Sequence, residues 1–188
     1  MENLKSYSRD SLYTLNITFN ASGAAEAARR GDVVMIVDII DMSTTAEAAL
    51  DAGALEIFGA SPDHVSAPVI TNPEKIGYFA GKKALKYNTK LIIITEPRLG
   101  TTEEQLSNIQ QAVAGVKRAG VEVDEILPNI GSEITTLTDF SQKIVLIITS
   151  SGGVAFDAAY NYGAPEITTG TVVRTLYKKG VRPAKDSA

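Results

Sequence analysis

The chain contains no cysteine. Disulfides, thiolate zinc sites and a cysteine nucleophile are therefore excluded. Long hydrophobic runs are missing as well. The longest, 33–37 and 144–148, are far too short to span a bilayer, and the mostly polar residues 1–10 do not read as a signal segment. Both absences point to the cytoplasm and away from a membrane. Nor is there a cluster of Lys and Arg: 22 acidic side chains face 18 basic ones, for a formal net charge of -4. Such a chain lacks the electrostatic footprint of a nucleic-acid binder. Histidine occurs once, at His64.

What is present reads as an ordinary globular protein. Hydrophobic residues make up 44% of the 188 positions and charged residues 21%, which argues against disorder. That length fits one core. No repeat, low-complexity tract or linker interrupts it, so residues 1–188 are expected to form a single domain with a frayed tail from about 182.

Four apolar runs rich in β-branched residues stand out, at 33–40, 91–95, 121–127 and 143–149. The first, second and fourth are nearly continuous in apolar side chains, as strands buried on both faces of a parallel sheet are. A weaker run follows at 55–59, and alternation over 12–19 suggests an edge strand. Between the runs, helical patterns cover 45–52, 73–87, 103–119, 154–162 and 171–179. Asn72 and Pro73 suit the start of the second helix. Gly53, Gly120, Gly163 and Gly180 suit helix stops. Strand and helix alternate from about residue 32, which predicts an α/β fold in three layers, a mainly parallel sheet with helices on both faces. The tyrosines Tyr78, Tyr87, Tyr160, Tyr162 and Tyr177 fall mostly on predicted helices and read as packing residues.

Ligands of open α/β sheets bind beyond the carboxyl ends of the strands, so the loops there carry the functional expectations. In the first, Asp38 lies inside an apolar run and Asp41 follows three residues later. Two carboxylates at a strand end are hard oxygen donors of the kind magnesium takes. Ser43, Thr44 and Thr45 add hydroxyls and amides at a helix N-terminus, where anions are stabilised. The plainer alternative makes Asp41 or Ser43 a helix cap and gives Asp38 to loop amides. The second loop, Thr149-Ser150-Ser151-Gly152-Gly153, has adjacent glycines that allow close backbone approach to a phosphate. It matches neither the P-loop nor the dinucleotide fingerprint, and a tight turn with a serine cap is the alternative. In the third, Arg98 suits an anion clamp, with Glu96 nearby as a base or ligand. The alternative there is a Pro-Gly loop ending in a Thr102 cap. His64 sits in a Ser61-Pro62-Asp63-His64 loop. It is either exposed or a proton donor to a leaving group.

Two of these loops bear a likeness to a known family. Val37-Asp38-Ile39-Ile40-Asp41-Met42-Ser43-Thr44-Thr45, followed by an alanine-rich stretch ending Ala52-Gly53-Ala54, resembles the first signature of the 2-phosphosulfolactate phosphatase family. The strand ending Thr149-Ser150-Ser151-Gly152-Gly153 resembles its second, and Gly170-Thr171-Val172-Val173 a weaker third element. Asp41 stands where the family has arginine, Ser151 where it has asparagine and Gly153 where it has threonine.

The resemblance implies an α/β enzyme that hydrolyses a phosphate monoester with Mg2+, on the route to coenzyme M. Asp38, the 43–45 cluster and the 149–153 loop would then fall in the active site. The expectation is a magnesium-dependent phosphatase, or a hydrolase of a related small anionic ester. Asp38, Asp41 and His64 would be catalytic, with the metal on Asp38 and Asp41. A non-catalytic domain that binds a small anion is the alternative. A homo-oligomer is compatible with either, though no residue demonstrates one.

Overall fold

The computed structural model describes residues 14–38 and 41–170. Its strands all pair in parallel, in two sheets with helices around them. This is the three-layer α/β architecture expected from the sequence.

The chain opens with helix α1 (Asn20–Arg29), strand β1 (Val34–Ile36), helix α2 (Met42–Asp51) and strand β2 (Glu56–Ala60). Helix α3 (Pro73–Tyr87), strand β3 (Leu91–Thr95), helices α4 (Thr102–Ser107) and α5 (Gln110–Arg118) and strand β4 (Val123–Pro128) follow. A 3-10 turn (Gly131–Thr136), strand β5 (Ile144–Ile148), helix α6 (Gly152–Asn161) and strand β6 (Ile167–Thr169) complete the described chain.

The larger sheet has the order β2-β5-β3-β4, and β1 and β6 form a separate pair. In β3 and β5 every residue is buried, as their unbroken apolar sequence requires. The strand period of two sends alternate side chains to opposite faces. Leu91, Ile93, Ile144, Leu146 and Ile148 pack under α3 and α5, against Ile76, Ala80 and Val116. Ile92, Ile94, Val145 and Ile147 meet α2 and Phe140 on the other face. Helices α3 and α5 touch backbone to backbone. A Cβ on Gly77 would lie 2.1 Å from the Ala112 carbonyl oxygen, and one on Gly115 would lie 2.0 Å from that of Glu74.

Several expectations are adjusted. Residues 14–19 are irregular, not an edge strand; 12 and 13 lie outside the described residues, as do 39, 40, Tyr177, the 171–179 helix and the tail. The single helix over 103–119 is two helices. The carboxylate of Asp63 accepts the amides of Gln110 and Gln111, and its own amide donates to the Asn108 carbonyl. That cap starts a new helix in mid-pattern. The cap of α4 is Thr101, not Thr102, in a reciprocal capping box with Glu104. Among the described residues no helix is long and apolar enough to cross a membrane.

Insertion of β5 between β2 and β3 has one consequence for function. The loops leaving β2 and β3 stand on either side of the carboxyl end of β5.

Candidate functional site

A cleft of about 640 Å³ opens at that place. The loop after β2 contributes Pro62, His64 and Val65, and the loop after β3 contributes Glu96, Pro97 and Arg98. Glu104, Ser107 and Asn108 of the α4 region and Ser150 at the end of β5 complete the lining. Four residues singled out in the sequence, His64, Glu96, Arg98 and Ser150, therefore share one cavity although they come from three separate loops of the chain.

Each wall is anchored. Asp157 of α6 is fully buried. It accepts the Ser61 amide at 3.1 Å, the Ser61 hydroxyl at 2.6 Å and the Asn72 amide at 2.7 Å. One carboxylate thus ties down both ends of the 61–72 loop. Burial pushes the Asp157 carboxyl above its ordinary value, against the lowering effect of these donors. Asp63 pins the same loop to α5. On the opposite wall, Glu96 Oε2 accepts the Ser150 amide and hydroxyl, each at 3.3 Å. Arg98 forms an ion pair with Asp41. Asp41 occupies the cap position of α2 at φ 75 and ψ -46 and makes no side-chain cap bond, in a region of backbone space that is costly for a residue with a Cβ.

The other expected residues do not line the cleft. Asp38 Oδ2 accepts the Ser151 hydroxyl at 2.6 Å and the Gly152 amide at 3.0 Å. The α6 N-terminus thus carries the protein's own carboxylate, which the helix dipole favours. The Gly153 amide donates to Thr149 Oγ1 at 2.8 Å. The paired glycines make room for protein atoms. A Cβ on Gly152 would meet Met42 Sδ at 2.5 Å and Asp38 Oδ2 at 2.8 Å, and one on Gly153 would meet the Ala60 carbonyl oxygen at 2.2 Å.

Ser43, Thr44 and Thr45 are all buried. Ser43 Oγ accepts the Asp38 amide at 2.9 Å and the Thr169 hydroxyl at 2.9 Å, which joins α2 to the β1-β6 pair. Thr45 donates to Asn129 Oδ1 at 2.6 Å. Asn129 is itself buried, and its Nδ2 has no partner among the described residues.

This arrangement does not fit a magnesium ion shared by Asp38 and Asp41. Asp38 is engaged by hydroxyl and amide donors, and Asp41 by a guanidinium that competes with any metal. Among the described residues no three His, Asp or Glu side chains converge on a common point.

Sequence reasoning did not single out Glu104, Ser107 or Asn108 as site residues. They sit in what reads as the start of one amphipathic helix, which in the structure ends at Asn108. Asn129, directly after Pro128, carried no signal beyond its place at a strand end.

Fold and site together define a three-layer α/β protein with a mixed-charge cleft at the carboxyl edge of its central strands. No family model matches the chain, and no curated protein or solved structure does either.

Proposed function

We propose that this protein binds a small anionic molecule, of the phosphate-monoester class, in the cleft above β5. The observation that carries the reading is the position of Arg98, the one cationic side chain among the described residues lining that cavity. A guanidinium is always charged and presents several donors to a carboxylate or phosphate. Asn108, Ser107 and Ser150 supply neutral polar groups around it. Asp41 is paired with that guanidinium, so an incoming anion competes with, or shares, that contact.

The experiment is a thermal-shift and calorimetric panel of phosphate monoesters on the wild type and on Arg98→Gln. Saturable binding that falls at least roughly tenfold in the variant supports the reading, since charge-assisted contacts are worth about 1.5–3 kcal/mol. Equal binding by both proteins contradicts it.

A second reading, hydrolysis of the bound ester, is favoured by a specific observation: His64 and Glu96, side chains that move protons, line the same cleft. In that role Glu96 takes a proton from the attacking water and His64 gives one to the leaving oxygen. Phosphate release measured on the same panel, with magnesium and with chelator, decides it. Release lost in His64→Ala or Glu96→Gln supports hydrolysis. Binding without release leaves a binding domain, and chelator-sensitive release would bring a metal back into the account.

A further inference from the structure

The charge balance of the cleft says more about the ligand than the presence of Arg98 does. Among the described residues that line it are two carboxylates, Glu96 and Glu104, against one guanidinium. That guanidinium is already paired with Asp41. Glu104 is committed to the α4 capping box, where its Oε2 accepts the Thr101 amide at 2.8 Å. Glu96 differs. Its contacts with Ser150 are both at 3.3 Å, beyond the usual length of a charge-assisted bond, and the residue is only half-buried. A ligand that is purely anionic meets a partly neutralised cation and an opposing carboxylate in the same cleft, which is repulsive. One that also carries an ammonium group turns that repulsion into a second attraction.

We infer that the cleft selects a zwitterion, a small molecule with an acidic group for Arg98 and a primary amine for Glu96. Amino acids and aminoalkyl phosphates belong to this class. The inference rests on the anion-binding reading above and narrows its ligand. Ser150 is then the relay between the two ends: its hydroxyl leaves Glu96 when the ammonium arrives and is free to donate to the acidic group.

The test uses matched probes that differ in the amine, phosphoethanolamine and ethyl phosphate, titrated calorimetrically into the wild type, Glu96→Gln and Arg98→Gln. Thermal unfolding of each variant confirms that it is folded. The expected result is that the wild type prefers phosphoethanolamine by roughly tenfold, the worth of one charge-assisted contact. Glu96→Gln reduces that preference to within about twofold by the same measure, while Arg98→Gln weakens both probes. Equal or better binding of ethyl phosphate by the wild type overturns the zwitterion inference and leaves anion binding standing. A preference for phosphoethanolamine that survives in Glu96→Gln also overturns it, because the amine is then held elsewhere. If neither probe binds the wild type, both the inference and the reading beneath it fail.

Discussion

The carboxylate of Asp38 receives the backbone N–H of Gly152 across 3.0 Å, joining the end of β1 to the first turn of α6, 114 positions further along the chain. The contact links the two-stranded β1-β6 pair to the helix that leaves the larger sheet. It also explains why glycine stands at position 152, where a Cβ would lie 2.8 Å from that same carboxylate oxygen.

Loss of Asp38 is therefore expected to show first in stability. Asp38→Ala strands the buried Gly152 amide, at a cost of about 1–3 kcal/mol, while the exposed Ser151 hydroxyl turns to water. Asp38→Asn keeps an acceptor and costs less. Urea denaturation of the two variants checks this. An alanine variant as stable as the wild type contradicts it.

Gly153→Ala separates a structural role from a ligand-approach role at that position. The added methyl meets the Ala60 carbonyl oxygen at 2.2 Å, and backbone cannot swing aside as a side chain can. A destabilisation of at least about 1–3 kcal/mol follows. A variant with normal stability and lost ligand binding would show instead that the glycine serves the ligand.

Asp63→Ala removes the cap of α5. The expected cost is about 0.5–2 kcal/mol, with faster amide exchange at Gln110 and Gln111 in particular. Unchanged exchange at those two amides would mean that the helix start does not depend on this side chain.

Asp157 gives a pH signature with a definite sign. Burial is the largest influence on it and raises its pKa above the ordinary 3.8, outweighing its hydrogen-bond donors. The folded state then holds the proton more tightly than the unfolded chain does. Its contribution to stability is complete below about pH 3.8 and is lost as pH rises from there through the folded value. The stability of the wild type minus that of Asp157→Asn should fall across this window and then level off. A difference that grows with pH would mean that the donors from Ser61, Asn72 and Asn161 outweigh burial.

Much of the scaffold is legible in the sequence, and its physical reasons are local. Strand β3 is read to the residue because five consecutive apolar or β-branched side chains have no other use. Helix α3 matches its expected span, and its start is legible because it is written in neighbouring residues. Asn72 accepts the Lys75 amide at 2.9 Å, Pro73 opens the first turn, and Asn88 closes the helix in the left-handed region at φ 51.

Helix α1 escapes notice because its buried face is alanine and glycine alone, Ala21, Ala24, Ala25 and Ala28 with Gly23. Side chains that small leave little apolar contrast for a periodicity to register. The break between α4 and α5 depends on Asp63, 47 residues earlier. The site shows the same division. The carboxyl-end loops were identifiable from the alternation of strands and helices along the chain, and they do hold His64, Glu96, Arg98 and Ser150 around one cleft. Which carboxylate faces which donor was not identifiable, because Asp38 with Gly152, Asp41 with Arg98 and Glu96 with Ser150 are all tertiary pairings.

The most direct test of the central claim is a two-dimensional amide NMR titration of the full chain with a phosphate monoester. Saturable shifts are expected at His64, Val65, Glu96, Arg98, Asn108 and Ser150, and are expected to be lost in Arg98→Gln. Shifts that do not saturate, or that centre away from this cleft, would contradict the assignment of the anion site to the carboxyl end of β5.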